Sequence, residues 1–386
     1  MARRAEPPSL ELHEPEGAFR RIEEWLREHG FFVTGGEELV ADLYLGYGLS
    51  ETIRRTSVSS PPEPCPALPL AACSVRPSLY SVGHSENDAA AAEDPVGRGS
   101  DIGHLGTGAW EPTWSGAEYA VAVDRVRAAI ERGDVYQVNL VQHLSAPCLG
   151  DPRRVARALA SALATLRPLA GRPFAGRDWA VVSASPELFL ARRGRRVWTM
   201  PIKGTRPAGH AAELRESEKD AAEHVMIVDL ERNDLSRVCE PGSVRWPELM
   251  ATQELAGVVH MVSTVEGSLR EGVGLADIFE ATFPGGSVTG APKIAAVDLI
   301  AKLEPVGRGA SMGALGWVRG NGDFEFALTI RTFAVAEERV HLWVGGGVVW
   351  DSDPAAEVDE SWTKARPLLD LIDAGRVAVE GSRSRA

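Results

Sequence analysis

The chain has 386 residues, of which 44% are hydrophobic and 25% are charged, a composition typical of globular proteins. At about 150 residues per domain, this length predicts roughly two to three domains. The formal net charge of −13 argues against non-specific binding to nucleic acid and against docking on anionic membranes, because both need a cationic surface. No apolar run approaches the roughly 18 residues of a membrane span, and the N-terminus lacks the apolar region of a secretory signal. We therefore expect a cytoplasmic protein with free cysteine thiols.

In the N-terminal half, the first predicted element is a helix over residues 16–30. Residues 56–115 are rich in Pro, Ser, Gly and acidic residues, which predicts loops with short strands. A capping-box pattern opens a helix over 115–133, and an Asp-Pro pair opens another over 151–166.

From residue 179 onward, short strand patterns are mixed with helical ones. The predicted helices are 213–235, 275–283, 292–303 and 355–373, and the clearest predicted strands are 258–265, 324–335 and 340–350. Strands and helices mixed without strict βαβ alternation predict an α+β fold with two-layered antiparallel β-sheets flanked by helices. We expect an N-terminal segment, 1–114, that contributes to the core, a catalytic region, 115–373, and a C-terminal tail, 374–386.

Lysine is rare in this chain. The 41 basic residues include five lysines: Lys203, Lys219, Lys293, Lys302 and Lys364. Only lysine can lose its proton near neutral pH and act as a nucleophile, whereas arginine cannot, so a retained lysine is a candidate functional residue. Lys203 follows a predicted strand and precedes Gly204, and burial there would lower the pKa of its ammonium group. Mutational chance is the alternative.

Two pairs of carboxylates have helical spacing. Asp220 and Glu223 share one face of a predicted helix, and Glu357 and Glu360 share one face of another. Such oxygen ligands suit Mg²⁺, although solvated helix faces would give the same spacing.

Four further features could contribute to a site. Glu187 ends a predicted strand and could act as a general acid. A Gly-rich segment, 284–293, leads into a helix whose free N–H groups could bind an anion. Gly345–Gly347 lie inside a strand, where glycines mark either the close approach of a ligand or a bend. Arg331, on the neighbouring strand, could hold a carboxylate or be exposed to solvent.

The order of these motifs along the chain is more specific than any one of them. The motifs are GDVYQVN at 133–139, SPE at 185–187, PIKGT at 201–205, AEH at 222–224, DLERNDL at 229–235, HMVS at 260–263, FPGGSVTGAPK at 283–293, TIRT at 329–332, GGG at 345–347 and EVDE at 357–360. As a set they resemble the chorismate-binding enzymes over about residues 115–371. That family includes the large subunits of anthranilate synthase and aminodeoxychorismate synthase, the isochorismate synthases and the salicylate synthases. The resemblance implies the fold of anthranilate synthase component I.

Two positions inform the choice among members. Family members that add water have a lysine where this chain has Gln137, which points to the branch that uses ammonia. Anthranilate synthases usually have alanine at the position of Lys203, so PIKGT resembles aminodeoxychorismate synthase. Trp317 stands where the family usually has a tyrosine that contacts a substrate carboxylate. The Leu-Leu-Glu-Ser segment of members with a tryptophan pocket is missing, so we expect no feedback by tryptophan.

The resemblance also implies roles for individual residues. Mg²⁺ would be held by Glu223 and Glu360, with Asp220 and Glu357 close by. Lys203 would be the nucleophile, with Glu187 as the general acid. The groups implied to line the substrate pocket are Arg331, Gly345, Gly346, Gly347, Gly204, Thr205, His260, Ser287 and Trp317.

The reaction implied is the Mg²⁺-dependent amination of chorismate by ammonia, with a separate glutamine amidotransferase as the ammonia source. One alternative is an anthranilate or 2-amino-2-deoxyisochorismate synthase. Another is a non-catalytic paralogue that only binds a partner or a metabolite.

Overall fold

The computed structural model describes residues 9–383, except 35, 58, 79–106, 167–168, 170–171 and 256–257. Much of the predicted loop region 56–115 therefore lies outside the described residues. No helix within the described ranges combines the length and apolarity needed to cross a membrane. All four cysteines are buried free thiols, as predicted.

The described chain forms eight α-helices. They are α1 (Ala18–Glu28), α2 (Gly116–Glu131), α3 (Pro152–Leu163), α4 (Ala211–Glu216), α5 (Glu218–Ser236), α6 (Leu275–Thr282), α7 (Lys293–Leu303) and α8 (Pro354–Arg383). The capping box that predicted α2 is formed, since the Ser115 hydroxyl accepts from the Glu118 N–H and the Glu118 carboxylate accepts from the Ser115 N–H. The helix predicted over 213–235 is two helices, because Ser217 has an extended backbone and caps α5 by accepting from the Asp220 N–H.

The strands number seventeen within the same residues. They are β1 (Ser9–Leu12), β2 (Leu39–Leu45), β3 (Ala71–Pro77), β4 (Glu111–Pro112), β5 (Gln137–Pro147), β6 (Phe174–Ala175), β7 (Trp179–Ser183), β8 (Leu188–Arg193), β9 (Arg196–Met200), β10 (Ile202–Pro207), β11 (Arg245–Leu255), β12 (Val258–Ser268), β13 (Gly290–Ala291), β14 (Ala314–Arg319), β15 (Phe324–Leu328), β16 (Thr332–Ala336) and β17 (Arg339–Val348).

These strands build two antiparallel sheets. The larger sheet has ten strands in the order β1-β3-β2-β14-β15-β8-β9-β12-β10, with β11 paired to β12. The smaller has seven, in the order β13-β5-β17-β16-β7-β6, with β4 paired to β5. Two sheets with helices against them confirm the predicted α+β class. Because β2 lies between β3 and β14, the N-terminal segment is part of the larger sheet.

Helix α5 contacts β10 and β12 of the larger sheet and β13 of the smaller one. Helices α3 and α8 cover the smaller sheet, where they contact β7 and β17. Helix α5 thus bridges the two sheets, and it carries Asp220 and Glu223, two of the residues predicted to bind metal.

One predicted strand is wrong in its extent. The alternating segment 324–335 forms two strands, β15 and β16, because Arg331 adopts a left-handed backbone with φ 50°. Each half pairs with a different sheet, β15 with β8 and β16 with β7. Arg331 thus lies in the crossing between the sheets rather than on a strand.

A pair of buried histidines on β5 and β17 gives the fold a pH dependence. His143 Nε2 lies 3.1 Å from His341 Nδ1, and His143 Nδ1 lies 2.6 Å from the Thr113 hydroxyl. Burial lowers the pKa of His143 to about 3 and that of His341 to about 4. Both imidazoles are therefore neutral in the folded protein.

We predict that these two histidines lower the free energy of unfolding as the pH decreases from about 7 to 5. The unfolded histidines have pKa values near 6.5 and take up protons in this window, whereas the folded ones do not, so protonation favours unfolding. Each buried histidine should cost about 2 kcal/mol over this range. Urea unfolding at pH values of about 7 and 5 measures how the free energy of unfolding changes with pH. His143→Gln should reduce the number of protons taken up on unfolding by about one. An unchanged slope in the variant would show that His143 does not cause the dependence.

Candidate active site

Lys203 lies at the centre of a buried group of polar side chains. Its Nζ is 2.9 Å from Oε1 of Glu223, which comes from α5. The same oxygen accepts a hydrogen bond of 2.8 Å from Nε2 of Gln137, at the start of β5. One carboxylate oxygen thus connects β10 of the larger sheet to β5 of the smaller one. The structure therefore brings three predicted residues into direct contact.

The predicted protonation state of Lys203 is wrong for this arrangement. Burial acts to lower the pKa of the ammonium group, but the charges of Glu223 and Glu187 outweigh it and leave that pKa above its ordinary value. Lys203 is consequently an ammonium ion here. It must leave Glu223 and lose a proton before it can act as a nucleophile.

Gly204 allows the chain to turn beside Lys203. Its φ is +61°, and a Cβ there would lie 2.4 Å from Cδ1 of Leu214. The pairing of β10 with β12 shifts register between Lys203 and Thr205, which marks a bulge at this glycine. The bulge directs the Lys203 side chain toward α5.

Glu187 is a second acid whose charge acts on Lys203. It is 4% exposed, and its Oε1 accepts from the Ile202 N–H at 3.3 Å. Burial raises the pKa of its carboxyl, while the charge of Lys203 and a hydrogen bond from Ser287 oppose the rise. A buried carboxyl with a raised pKa can hold a proton for transfer, as predicted for a general acid.

His260, Thr205 and Arg331 extend the same site. His260 Nδ1 lies 3.1 Å from the Thr205 hydroxyl and 3.3 Å from the Gly204 carbonyl, while its buried Nε2 has no partner within the described chain. Because a carbonyl can only accept, Nδ1 carries the proton and Nε2 is left as an acceptor. Burial lowers the pKa of Arg331, and the nearby charge of Glu187 opposes this.

Three carboxylates approach the glycines of β17. A Cβ at Gly346 would lie 3.1 Å from Oε1 of Glu360 and 3.3 Å from Oε2 of Glu357. A Cβ at Gly347 would lie 2.9 Å from Oε1 of Glu223. A Cβ at Gly345 would lie 1.9 Å from the Leu140 carbonyl oxygen, so β17 fits against β5 only without side chains here.

Each of these acids has a partner in the structure. Glu360, half-exposed, is 2.7 Å from Nζ of Lys364, and Glu357 accepts from the Ser352 hydroxyl at 2.7 Å. Burial raises the pKa of Glu357, and the charge of Glu360 adds to the rise. Asp220 pairs instead with Arg206, at 2.8 Å.

The donor set is compatible with Mg²⁺. No group of three His, Cys, Asp or Glu side chains forms a ready-made metal site in the described part of the chain. Magnesium typically takes only one or two protein carboxylates and completes its shell with water and substrate oxygens. Glu223 and Glu360 each lie against a glycine of β17 and are of the ligand type that Mg²⁺ accepts.

Trp317 does not join this group. Its ring, 3% exposed, packs against the guanidinium groups of Arg193 and Arg319 at 5.0 and 5.3 Å from the ring centroid. In the larger sheet Trp317 pairs with Glu325, and Glu325 pairs with Ala191 of β8. Ala191 is four residues from Glu187, which directly precedes β8. At about 3.3 Å per residue this is roughly 13 Å along the strand. The prediction that Trp317 lines the pocket is therefore wrong.

Two contacts at the site were missed by sequence reasoning. Lys364 Nζ donates to the Gly345 carbonyl at 2.8 Å in addition to binding Glu360. Its spacing of four residues from Glu360 was a usable signal. Arg206, which neutralises Asp220, lies within the motif that contains Lys203 but has no spacing signal of its own.

Comparisons with known proteins identify the family of this chain. The family model for chorismate binding enzymes matches residues 70–370. Anthranilate synthase component 1 of Streptomyces coelicolor is 42% identical over 275 residues, which cover 69% of this chain and 53% of the relative. Aminodeoxychorismate synthase component 1 of Klebsiella aerogenes is 39% identical over 279 residues, which cover 69% of this chain and 60% of the relative.

The solved structure of anthranilate synthase component I from Streptococcus pneumoniae superimposes with a TM-score of 0.75 at 27% identity, covering 89% of this chain and 84% of that one. The chain belongs to the chorismate binding enzyme family. It aligns with only 53% to 60% of the length of these two curated relatives, one an anthranilate and one an aminodeoxychorismate synthase.

Proposed function

We propose that this protein is the large subunit of an aminodeoxychorismate synthase, which converts chorismate and ammonia to 4-amino-4-deoxychorismate. The observation that carries the proposal is Lys203, a buried lysine paired with Glu223 and within range of the charge of Glu187, in a chain that uses lysine sparingly. A lysine nucleophile beside an acid whose pKa is raised by burial is the arrangement that displacement of a hydroxyl group needs.

The surrounding groups would bind the two carboxylates of chorismate. Arg331, with backbone N–H groups of Gly345–Gly347, would hold the enolpyruvyl carboxylate. Mg²⁺ held by Glu223 and Glu360, with Glu357 and Asp220 nearby, would neutralise the ring carboxylate. The pocket would be completed by Thr205 and His260, which contact each other, and by Ser287, which lies beside Glu187.

The proposed reaction consists of two displacements. Lys203 first loses its ammonium proton to solvent, and the neutral amine then attacks C2 of chorismate. Both ring double bonds shift, and the C4–O bond breaks. Glu187 supplies the proton that converts the departing hydroxide to water. Ammonia then adds at C4, both double bonds shift back, and the C2–N bond to Lys203 breaks. The proton lost by the new amine returns to Glu187, so the net reaction exchanges water for ammonia and retains the enolpyruvyl group.

The ammonia would come from a separate glutamine amidotransferase. The name component 1 of these relatives implies a second component. We propose that this chain likewise works with a partner subunit. The protein alone should use ammonium salts and be inactive with glutamine. A cytoplasmic location stays a prediction.

The product decides between this proposal and its rival. We predict that the protein, incubated with chorismate, Mg²⁺ and ammonium, forms 4-amino-4-deoxychorismate as its main product. Mass spectrometry gives the formula, and proton NMR distinguishes an amine at C4 from one at C2. Accumulation of fluorescent anthranilate with pyruvate would instead identify an anthranilate synthase, and no conversion at all would favour a non-catalytic paralogue.

A further inference from the structure

Two buried side-chain oxygens on β5 have no hydrogen-bond donor among the described residues. They are Oε1 of Gln137 and Oδ1 of Asn139, and the two residues are 1% and 9% exposed. Buried polar atoms are normally paired, so an unpaired acceptor calls for an explanation such as a missing ligand. Two such acceptors on one strand offer a place for a molecule that donates hydrogen bonds.

Both oxygens belong to the active site. Residues 137 and 139 are two apart on a strand and therefore lie on the same face of the sheet. Asn139 pairs directly with Gly347 of β17, and directly paired residues project to the same face. The missing side chain of Gly347 leaves a space that is occupied by Nε2 of Gln137 and Oε1 of Glu223, 2.0 and 2.9 Å from the Cβ position. The Asn139 side chain thus faces the same space, beside the carboxylate that binds Lys203.

The direction of the Gln137 amide is fixed by its partner. A carboxylate can only accept, so the amide nitrogen must face Glu223, and Oε1 must face away from it. The backbone of Asn139 is held on both sides, since its N–H donates to the Thr289 carbonyl at 2.7 Å and its carbonyl accepts from Arg308 Nη2 at 2.7 Å. The side chain of Asn139 is therefore carried by a rigid strand.

We infer that Asn139 and Gln137 form the binding site for ammonia, in which their side-chain oxygens accept two of its N–H bonds. Ammonia has three N–H donors and one lone pair, whereas water has two donors and two lone pairs. A site that offers acceptors to two N–H bonds leaves the lone pair of ammonia free to point at the substrate carbon. Asn139 is accordingly a specificity-determining residue for the nucleophile, an assignment that rests on the proposed function.

The test compares Asn139→Val with the wild type at several concentrations of free ammonia. The variant removes the acceptor and keeps similar bulk. We expect about a tenfold increase in the KM for ammonia, the effect of losing one hydrogen bond, with the KM for chorismate unchanged. The matched control is Gln142→Met, because Gln142 is another buried amide of β5 that faces the opposite side and bonds to Ser361. It should leave the KM for ammonia unchanged.

A second measurement follows the competition between ammonia and water. In H₂¹⁸O, water that captures the intermediate at C4 returns chorismate with ¹⁸O in its C4 hydroxyl group. At low ammonia, the ratio of aminated product to labelled chorismate should fall about tenfold in Asn139→Val. Thermal unfolding checks that the variant is folded, and Asn139→Ala provides the same comparison if the valine variant is not.

The outcomes separate this inference from the proposed function. A folded variant with unchanged KM for ammonia and unchanged product ratio would overturn the inference while leaving the function intact. An increase confined to the KM for chorismate would make Asn139 a substrate contact and would also overturn it. Wild-type protein that forms no aminated product would contradict the proposed function itself.

Discussion

Replacement of Lys203 by arginine is expected to abolish formation of 4-amino-4-deoxychorismate, with a loss on the order of 10³-fold or more in kcat/KM. A guanidinium group cannot lose its proton at working pH and so cannot attack C2. The positive charge beside Glu223 is preserved, so the fold should survive. Product formation measured by mass spectrometry, together with thermal unfolding, separates lost chemistry from lost stability.

The matched control is Lys302→Arg, which makes the same exchange at an exposed position on α7. It should keep wild-type activity. Intact-protein mass spectrometry after addition of chorismate without ammonia should show a covalent adduct on the wild type and none on Lys203→Ala. Full amination at C4 by Lys203→Ala, with no adduct on the wild type, would reduce Lys203 to a charge that positions the substrate.

Lys203→Ala could also change the product. Without the amine, ammonia can attack C2 directly and give the 2-amino compound of the rival branch. Formation of the 2-amino compound by Lys203→Ala would support a site in which Lys203 alone directs the amination to C4.

The order of motifs along the sequence predicted which residues meet, but not how they are charged. Glu223 is 20 positions from Lys203, and no local pattern shows that the two form an ion pair. The raised pKa of Lys203 is a consequence of that contact, which depends on how α5 packs against β10. Protonation at a buried site is therefore a tertiary property that composition and spacing do not determine.

The errors about Trp317 and Arg331 have a similar origin. Alternation along 324–335 predicts one strand, but alternation says nothing about which sheet each half joins. The left-handed backbone of Arg331 divides the segment between two sheets. The position of Trp317 follows from its register with Glu325, which places it beside Arg193 rather than beside Glu187. Strand register is set by the packing of the whole sheet.

Removal of the proposed metal ligands should have the other large effect. Glu360→Gln and Glu223→Gln are each expected to weaken Mg²⁺ binding by about tenfold or more, because each deletes a charged oxygen ligand. Titration calorimetry with Mg²⁺ in the absence of chorismate measures binding independently of turnover. The control is Asp359→Asn, which removes the same charge from the neighbouring exposed position of α8.

The two variants should differ in a way that tests the ion pairs of the site. In Glu360→Gln, Lys364 loses its carboxylate partner but keeps the Gly345 carbonyl, so the effect should be confined to Mg²⁺ binding and turnover. In Glu223→Gln, the buried Lys203 loses the partner that lies 2.9 Å away, so the protein should also be less stable to heat. Near-normal activity of Glu360→Gln at limiting Mg²⁺ would show that Glu360 belongs to a solvated helix face paired with Lys364. Glu223 would then be the single ligand retained from the proposed pair, and the rest of the coordination shell would have to come from water and the substrate.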